Sequence, residues 1–385
     1  MMKSCYFNLR RVLIVVFLLT IFLQAKSQDQ KMQEDTLSFL FIGDVMGHDE
    51  QIWSAENRET HTYNYDSVFT YIKPVISEAD IAIANLEVTL AGQPYTGYPQ
   101  FSSPSDLAVA CRNAGIDYFV TANNHSADRR KKGITGTINR LDSIGIPHTG
   151  TFQDSSCRDS LSPLMINKKG ISAALLNYTF GTNGITVPEP VIVNPIDKSL
   201  IINDINKAKA RNADVIIVFL HWGTEYDTIP SRSQTDLAEY LLSEGVDLVI
   251  GSHPHVLQKM VWSKKNEGRK DRVVVYSLGN FVSNQKKPKT EGGSIVRVEV
   301  IKKDGSVRIS DAGYYLTWVY KPIVNFRKKF YVLPCSEYEN RSDFFTSTDD
   351  YEKMKNFIRD SRAFLYKQNV NFNEYIFTGN CWLME

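Results

Sequence analysis

The sequence predicts an α/β fold, and three observations carry that expectation. From Thr36 onward, short apolar runs of β type alternate with amphipathic stretches of helical period, the pattern of strands covered by helices rather than of an all-β or all-α chain. Six of the apolar runs end abruptly in polar groups able to bind a metal. Two of the helical stretches end at Gly115 and Gly245, where glycine suits a left-handed C-cap.

In chain order, residues 37–42 run into Gly43-Asp44, residues 81–84 into Asn85-Leu86-Glu87, and residues 118–120 lead to Asn123-Asn124-His125. Residues 215–220 run into His221, residues 248–250 into Gly251-Ser252-His253-Pro254-His255, and residues 273–276 into Ser277-Leu278-Gly279-Asn280. Leu107, Ala110, Cys111 and Ala114 mark one covering helix, and Leu237, Tyr240 and Leu241 another. Asp106 and Asp236 stand near their expected starts, where a carboxylate suits the N-terminal dipole. Lys168-Lys169-Gly170 separates two apolar runs as a hairpin turn would. Residues 186–195 hold three prolines and read as a surface loop. Past Phe281 the texture changes: residues 294–301 and 307–310 read as a hairpin and 314–319 as a further strand. Tyr351, Met354, Phe357 and Ile358 predict a terminal amphipathic helix that packs on the body.

Compartment is read from the N-terminus. Lys3, Arg10 and Arg11 precede an apolar run, followed by Ala25 and Ser27, a signal-peptide layout with cleavage expected near Ser27. The run is about twelve residues, short of the roughly twenty that span a bilayer, with an uncleaved anchor as the alternative. Cys5 precedes the run, so a lipoprotein would lack its acceptor cysteine. The mature chain is expected in the periplasm or cell envelope. Lys and Arg total 44 against 43 Asp and Glu, and no clustered basic surface interleaved with aromatics favours nucleic acid. Residues 129–132 and 286–289 form basic patches beside loops; solvation is the default reading and attraction of an anionic substrate or polymer the alternative. Cys111, Cys157, Cys335 and Cys381 lie beyond the signal without metal-type spacing. Cys111 reads as a buried thiol, and Cys335 with Cys381 is the pair best placed to bridge.

Side chains at the carboxyl ends of strands in open α/β sheets converge on one crevice. Asp44, Glu87, Asn124, His125, His221, His253 and His255 would therefore meet, and they include four of the seven histidines. Taken singly, Asp44 also suits a turn or cap, Glu87 a surface carboxylate, and Asn123-Asn124 ordinary turn chemistry. His253-Pro254-His255 is harder to read that way, because the proline fixes the backbone between two imidazoles. Imidazole and carboxylate together suit a divalent transition metal, Mn, Fe or Zn, as one or two ions. A nucleophile-elbow serine hydrolase lacks its Gly-x-Ser-x-Gly.

Gly43-Asp44-Val45-Met46, Asn85-Leu86-Glu87, Ala122-Asn123-Asn124-His125, Leu220-His221-Trp222-Gly223 with Glu225-Tyr226, Gly251-Ser252-His253-Pro254-His255-Val256 and Tyr276-Ser277-Leu278-Gly279-Asn280-Phe281 together resemble the bacterial capsule-synthesis family of CapA or poly-γ-glutamate type. That family looks like a divergent branch of the calcineurin-like metallophosphoesterases. The resemblance implies a four-layer α/β/β/α sandwich with mixed sheets and a metal centre. By resemblance, Glu87 would bridge two ions, Asn124, His221 and His253 would hold one, Asp44 and His255 the other, and His125 would protonate the leaving oxygen. The sequence departs from the phosphoesterase pattern at Met46, where a histidine is usual, so one tight and one weak ion, or a single ion, are expected.

The resulting expectation is a signal peptide over 1–27, a CapA/metallophosphoesterase-like domain over 36–285, and a C-terminal hairpin and helical extension over 286–385. The function implied is a metal-dependent envelope hydrolase or transferase, acting on a phosphoester or on amide or ester bonds of an anionic polymer, beside membrane-bound capsule synthesis proteins. The alternative is a non-catalytic polymer-binding or assembly protein with a degenerate structural metal site.

Overall fold

The computed structural model describes residues 34–264 and 271–384; the expected signal peptide and its cleavage site at Ser27 lie outside the described residues. Two sheets are built from the expected runs. The larger, ten-stranded sheet passes from Trp382–Met384 through Asn373–Phe377, Ser306–Tyr320 and Gly292–Lys303 to Asp35–Val45. It continues through Ile81–Leu86 and Tyr118–Val120 to His148–Thr149. The smaller has six strands, in the order Met260–Ser263, Arg272–Val275, Leu248–Ser252, Val215–His221, Ile171–Thr179, Leu164–Lys168.

Alternation along the strands assigns every layer. Leu37, Phe39 and Phe41 share one buried core with Val215, Ile217 and Phe219, so these odd-numbered residues of both sheets face each other. Leu40 and Ile42 turn the other way, onto Leu107, Ala108 and Cys111 of the helix Asp106–Asn113. Ile216, Val218 and Leu220 pack on Ile201 and Ile205 of the helix Lys198–Ala210 and on Leu237 and Leu241 of the helix Arg232–Ser243. The order helix, sheet, sheet, helix is the four-layer α/β/β/α sandwich that the resemblance implied. Each large side chain buried in this way contributes roughly 1.5–3 kcal/mol. A slip of one residue would exchange the two faces of a strand, so the register is strongly specified.

The strands from Asp35–Val45 to His148–Thr149 pair in parallel, as do Ile171–Thr179, Val215–His221, Leu248–Ser252 and Arg272–Val275. Their carboxyl ends, which carry the polar residues, therefore lie at one edge of the sandwich. The 164–168 and 171–179 strands form the expected antiparallel hairpin, with Lys169 and Gly170 both at positive φ, the geometry of a type I′ turn.

Three local expectations are corrected. Residues 307–310 and 314–319 belong to one long strand, Ser306–Tyr320, because Asp311 to Gly313 stay paired with Arg297 to Glu299 across a bulge at Glu299 and Val300. Asp236 does not cap its helix. Ser231 does, accepting from Gln234 N, while Asp236 pairs with Arg232 one turn back. The proline-rich segment contains a short strand, Ile192–Val193, paired with Thr151–Phe152. The terminal helix spans Thr348–Gln368 and buries Met354, Phe357, Ile358 and Leu365 in the core between the sheets. Cys111, Cys157, Cys335 and Cys381 are all free thiols.

Candidate metal centre

All seven sequence-expected residues are buried at the strand ends: Asp44, Glu87 and His221 fully, Asn124, His125, His253 and His255 to within a few per cent of exposure. Two glycines let neighbouring backbone come close beside the centre. A Cβ on Gly43 would meet the Gly279 carbonyl oxygen at 2.1 Å, and one on Gly251 would meet the Tyr276 carbonyl oxygen at 2.1 Å, so neither position admits a side chain without backbone movement. His253 and His255 both adopt positive φ, 99° and 59°, conformations that cost of order 1–3 kcal/mol each in a non-glycine residue. The loop is held from outside: Tyr226 N donates to the Pro254 carbonyl at 2.8 Å and Trp222 N to the Ser252 carbonyl at 3.1 Å.

Hydrogen bonds orient the donor atoms inward. His221 Nδ1 lies 3.0 Å from Ser252 Oγ, leaving Nε2 2.9 Å from Asn124 Oδ1 and 3.6 Å from Glu87 Oε1. His255 Nδ1 lies 3.1 Å from both Asp44 Oδ2 and Asn280 Oδ1, leaving Nε2 3.8 Å from Glu87 Oε1. Asn85 Nδ2 donates to the other Asp44 oxygen at 2.8 Å. Asn123 donates to the Leu86 carbonyl and accepts from His125 N, which ties the Glu87 strand end to the Asn124-His125 turn. His125 Nδ1 sits 2.8 Å from Asp128 Oδ2, and the ring packs edge-on against Phe101.

The electrostatics are those of a site built for a cation. Among the described residues no hydrogen-bond donor reaches either oxygen of Glu87. Burial, and then the neighbouring Asp44 carboxylate, push its carboxyl well above the ordinary range. Burial and the surrounding imidazoles hold His221 well below its usual value, and His253 falls to about 3 for the same reasons. Neutral imidazoles and an unsatisfied buried carboxylate are what a divalent ion requires, and leaving such a carboxylate without a partner is costly. Glu87, His221 and His253 bring donor atoms within 4.8 Å of one another, as do Asp44, Glu87 and His255. Glu87 is common to both groups. The residues present fit one or two divalent ions.

Met46 is buried and lines the cleft beside the centre. His48 is not in either group; its Nδ1 lies 3.1 Å from Gln51 Oε1 and accepts from Asn284 N at 3.3 Å. Four contributors escaped the sequence reading as individual residues. Asp128 orients His125, Ser252 and Asn280 contact Nδ1 of His221 and of His255, and exposed Glu225 forms a third metal-competent group with His253 and His255. The signals for Glu225 and Asp128 were short-range spacing: Glu225 four residues after His221 and Asp128 three after His125. The cleft, about 670 Å³, opens between Met46, Tyr98, His125, Glu225, Tyr226 and His255.

The family model described as bacterial capsule synthesis protein PGA_cap matches residues 38–285. The chain belongs to the PGA_cap family. Two relatives are similar over most of their lengths. One is the capsule biosynthesis protein CapA of Bacillus anthracis, 28% identical over 324 residues, covering 79% of this chain and 75% of that one. The other is the PGA biosynthesis protein CapA of Bacillus subtilis strain 168, 28% identical over 308 residues, covering 77% of each. Among solved structures, the Haemophilus influenzae NAD nucleotidase aligns with a TM-score of 0.47 at 13% identity, covering 89% of this chain and 64% of that longer one. A calcineurin-like phosphoesterase of Bacillus subtilis aligns with a TM-score of 0.44 at 13% identity, covering 86% of this chain and 99% of that one. The PGA_cap match spans every residue of the centre. Among the described residues of this family member no helix is long and apolar enough to cross a membrane.

Proposed function

We propose that this PGA_cap protein is an exported, metal-dependent hydrolase or transferase of the cell envelope, acting on a phosphoester or on amide or ester bonds of an anionic polymer alongside membrane-bound capsule synthesis proteins. The observation that carries the reading is Glu87: a fully buried carboxylate with no donor on either oxygen, faced by His221 and His255 and shared by two donor groups. A bound divalent ion supplies Lewis-acid polarisation and activates water near neutral pH. Glu87 would bridge, with Asn124, His221 and His253 on one side and Asp44 and His255 on the other. Asn85, Ser252 and Asn280 keep those donors aimed, a role that second-sphere groups fill in metal sites generally. Asp128 holds His125 through Nδ1, so Nε2 is the atom free to pass a proton to a leaving oxygen in the cleft.

The test is metal content per chain by elemental analysis, with turnover of a generic phosphodiester in added manganese. The wild type is expected to hold metal and turn over. His253→Ala/His255→Ala should lose the metal, and His125→Ala should keep it while losing about 10²–10⁴-fold in rate. Absence of metal from the wild type would sink the reading. Met46, a thioether where the phosphoesterase pattern has an imidazole, favours a second reading: a polymer-binding assembly protein with a structural metal. Bound metal without turnover of phosphodiester, ester or amide probes would select it.

A further inference from the structure

The cleft over the metal centre does not end at Tyr226. Its wall at residues 284–287 also bounds a second cavity of about 460 Å³, which reaches Trp318 and is lined by Lys321, Lys328 and Lys353 as well as by Glu291 and Asp350. The charges along this path are unequally committed. Lys328 is paired with Glu50 and Lys353 with Asp349. Lys286 and Lys287 are exposed and form no ion pair among the described residues, Lys287 lying over the Tyr226 ring at 5.5 Å. Lys321 is mostly buried, and among the described residues its ammonium makes one hydrogen bond, to the Gln285 carbonyl at 3.5 Å, at the outer limit of such a bond. Glu291 and Glu50 act on it through space and oppose the shift, yet neither forms an ion pair with it; burial, with Lys328 and Lys286 adding to it, lowers Lys321 to about 8. A buried ammonium with so little compensation is expensive. Three lysines without an ion pair among the described residues therefore line two cavities that share the wall at residues 284–287.

We infer that this second cavity is an anion subsite continuous with the metal centre, so that the ligand carries at least two anionic groups, one at the centre and one taken by Lys321 with Lys286 and Lys287. The inference rests on the hydrolase-or-transferase reading for the first of those groups alone. Lysines hold an anion as point charges, without the planar fork by which arginine selects geometry. The ligand that fits is a flexible polyanion whose repeating groups can be exchanged along the two cavities, its charges being carboxylates or phosphates.

The experiment is calorimetric binding to the full chain, in chelator and with manganese. An oligoglutamate and a short linear polyphosphate are compared with glutamate and inorganic phosphate. Lys321→Met and, separately, Lys286→Ala/Lys287→Ala are expected to weaken the oligomer by at least about tenfold. The monomers and the metal content should stay at wild-type values. The oligomer that binds more tightly identifies the charge carrier. Equal losses for oligomer and monomer, unchanged oligomer binding in both variants, or no binding of either oligomer would overturn the subsite. A wild type that lacks metal but still shows lysine-dependent oligomer binding would sink the proposed chemistry and leave the subsite standing.

Discussion

Two buried polar clusters in this protein are built on opposite terms. Around Arg158, every charge is answered: its guanidinium donates to Asn194 Oδ1 at 2.7 Å and pairs with Asp204, which also accepts from Tyr178 Oη at 2.8 Å. Asn194 goes on to the Asn177 carbonyl, and Asn177 Oδ1 accepts from Ala122 N at 2.6 Å. Around Glu87, by contrast, a carboxylate and His253 Nδ1 are left without hydrogen-bond partners among the described residues. Both clusters pay the desolvation penalty of burial, but only the first recovers it within the protein. The closed network stabilises, and through Ala122 it anchors the foot of the Asn123-Asn124-His125 turn. The open one leaves its electrostatic demand to be met by a ligand.

That contrast breaks first at Arg158. Arg158→Ala leaves Asp204 charged and fully buried, and should cost about 3–5 kcal/mol, read as a lower denaturation midpoint. Replacing Arg158 with Met and Asp204 with Leu together should cost less than Arg158→Ala alone, because no orphaned charge remains. A single variant no worse than the double would show that the closed cluster is not held by its pairing. Metal content of the folded fraction should be unchanged in both.

Lys321 gives the next effect, and its sign follows from burial. The folded chain gives up this proton at about 8 and the unfolded chain near the ordinary 10.5. Between those values the unfolded state holds more protons, so stability rises with pH across that window; below about 8 both states are protonated and the full penalty is present. The rise attributable to Lys321 should be about 2–3 kcal/mol. It should vanish in Lys321→Met, which is checked by comparing urea midpoints of the two proteins at pH 7 and pH 10.

Much of this was legible in the sequence because metal-competent residues interrupt otherwise apolar runs, and parallel pairing brings such interruptions to one edge. Asp44, Glu87, His221 and the His253-Pro254-His255 turn stood out for that reason. The closed cluster was illegible. Arg158 and Asp204 sit in helices where charge normally marks a solvated face, and they meet only through tertiary packing. Lys321 was hidden in the same way, one lysine just past a long strand, uninformative until the fold sets it behind residues 284–287. The break expected between residues 310 and 314 was wrong because a bulge at Glu299 and Val300 absorbs the irregularity without ending the strand.

The smallest expected change is also the sharpest probe of the open cluster. Glu87→Gln keeps the shape of a side chain that no donor reaches, so in chelator its stability should stay within about 1 kcal/mol of wild type. Excess manganese should then separate the two proteins. Saturation at a hundred times the dissociation constant stabilises a binding-competent fold by about 2.7 kcal/mol, and the variant, lacking the carboxylate common to both donor groups, should gain far less. Thermal midpoints with and without metal read this out without any substrate. A wild type indifferent to manganese would mean that Glu87 carries its burial cost for some other ligand; an equal gain in Glu87→Gln would place the ion on His253, His255 and Glu225, the third group, at the mouth of the cleft.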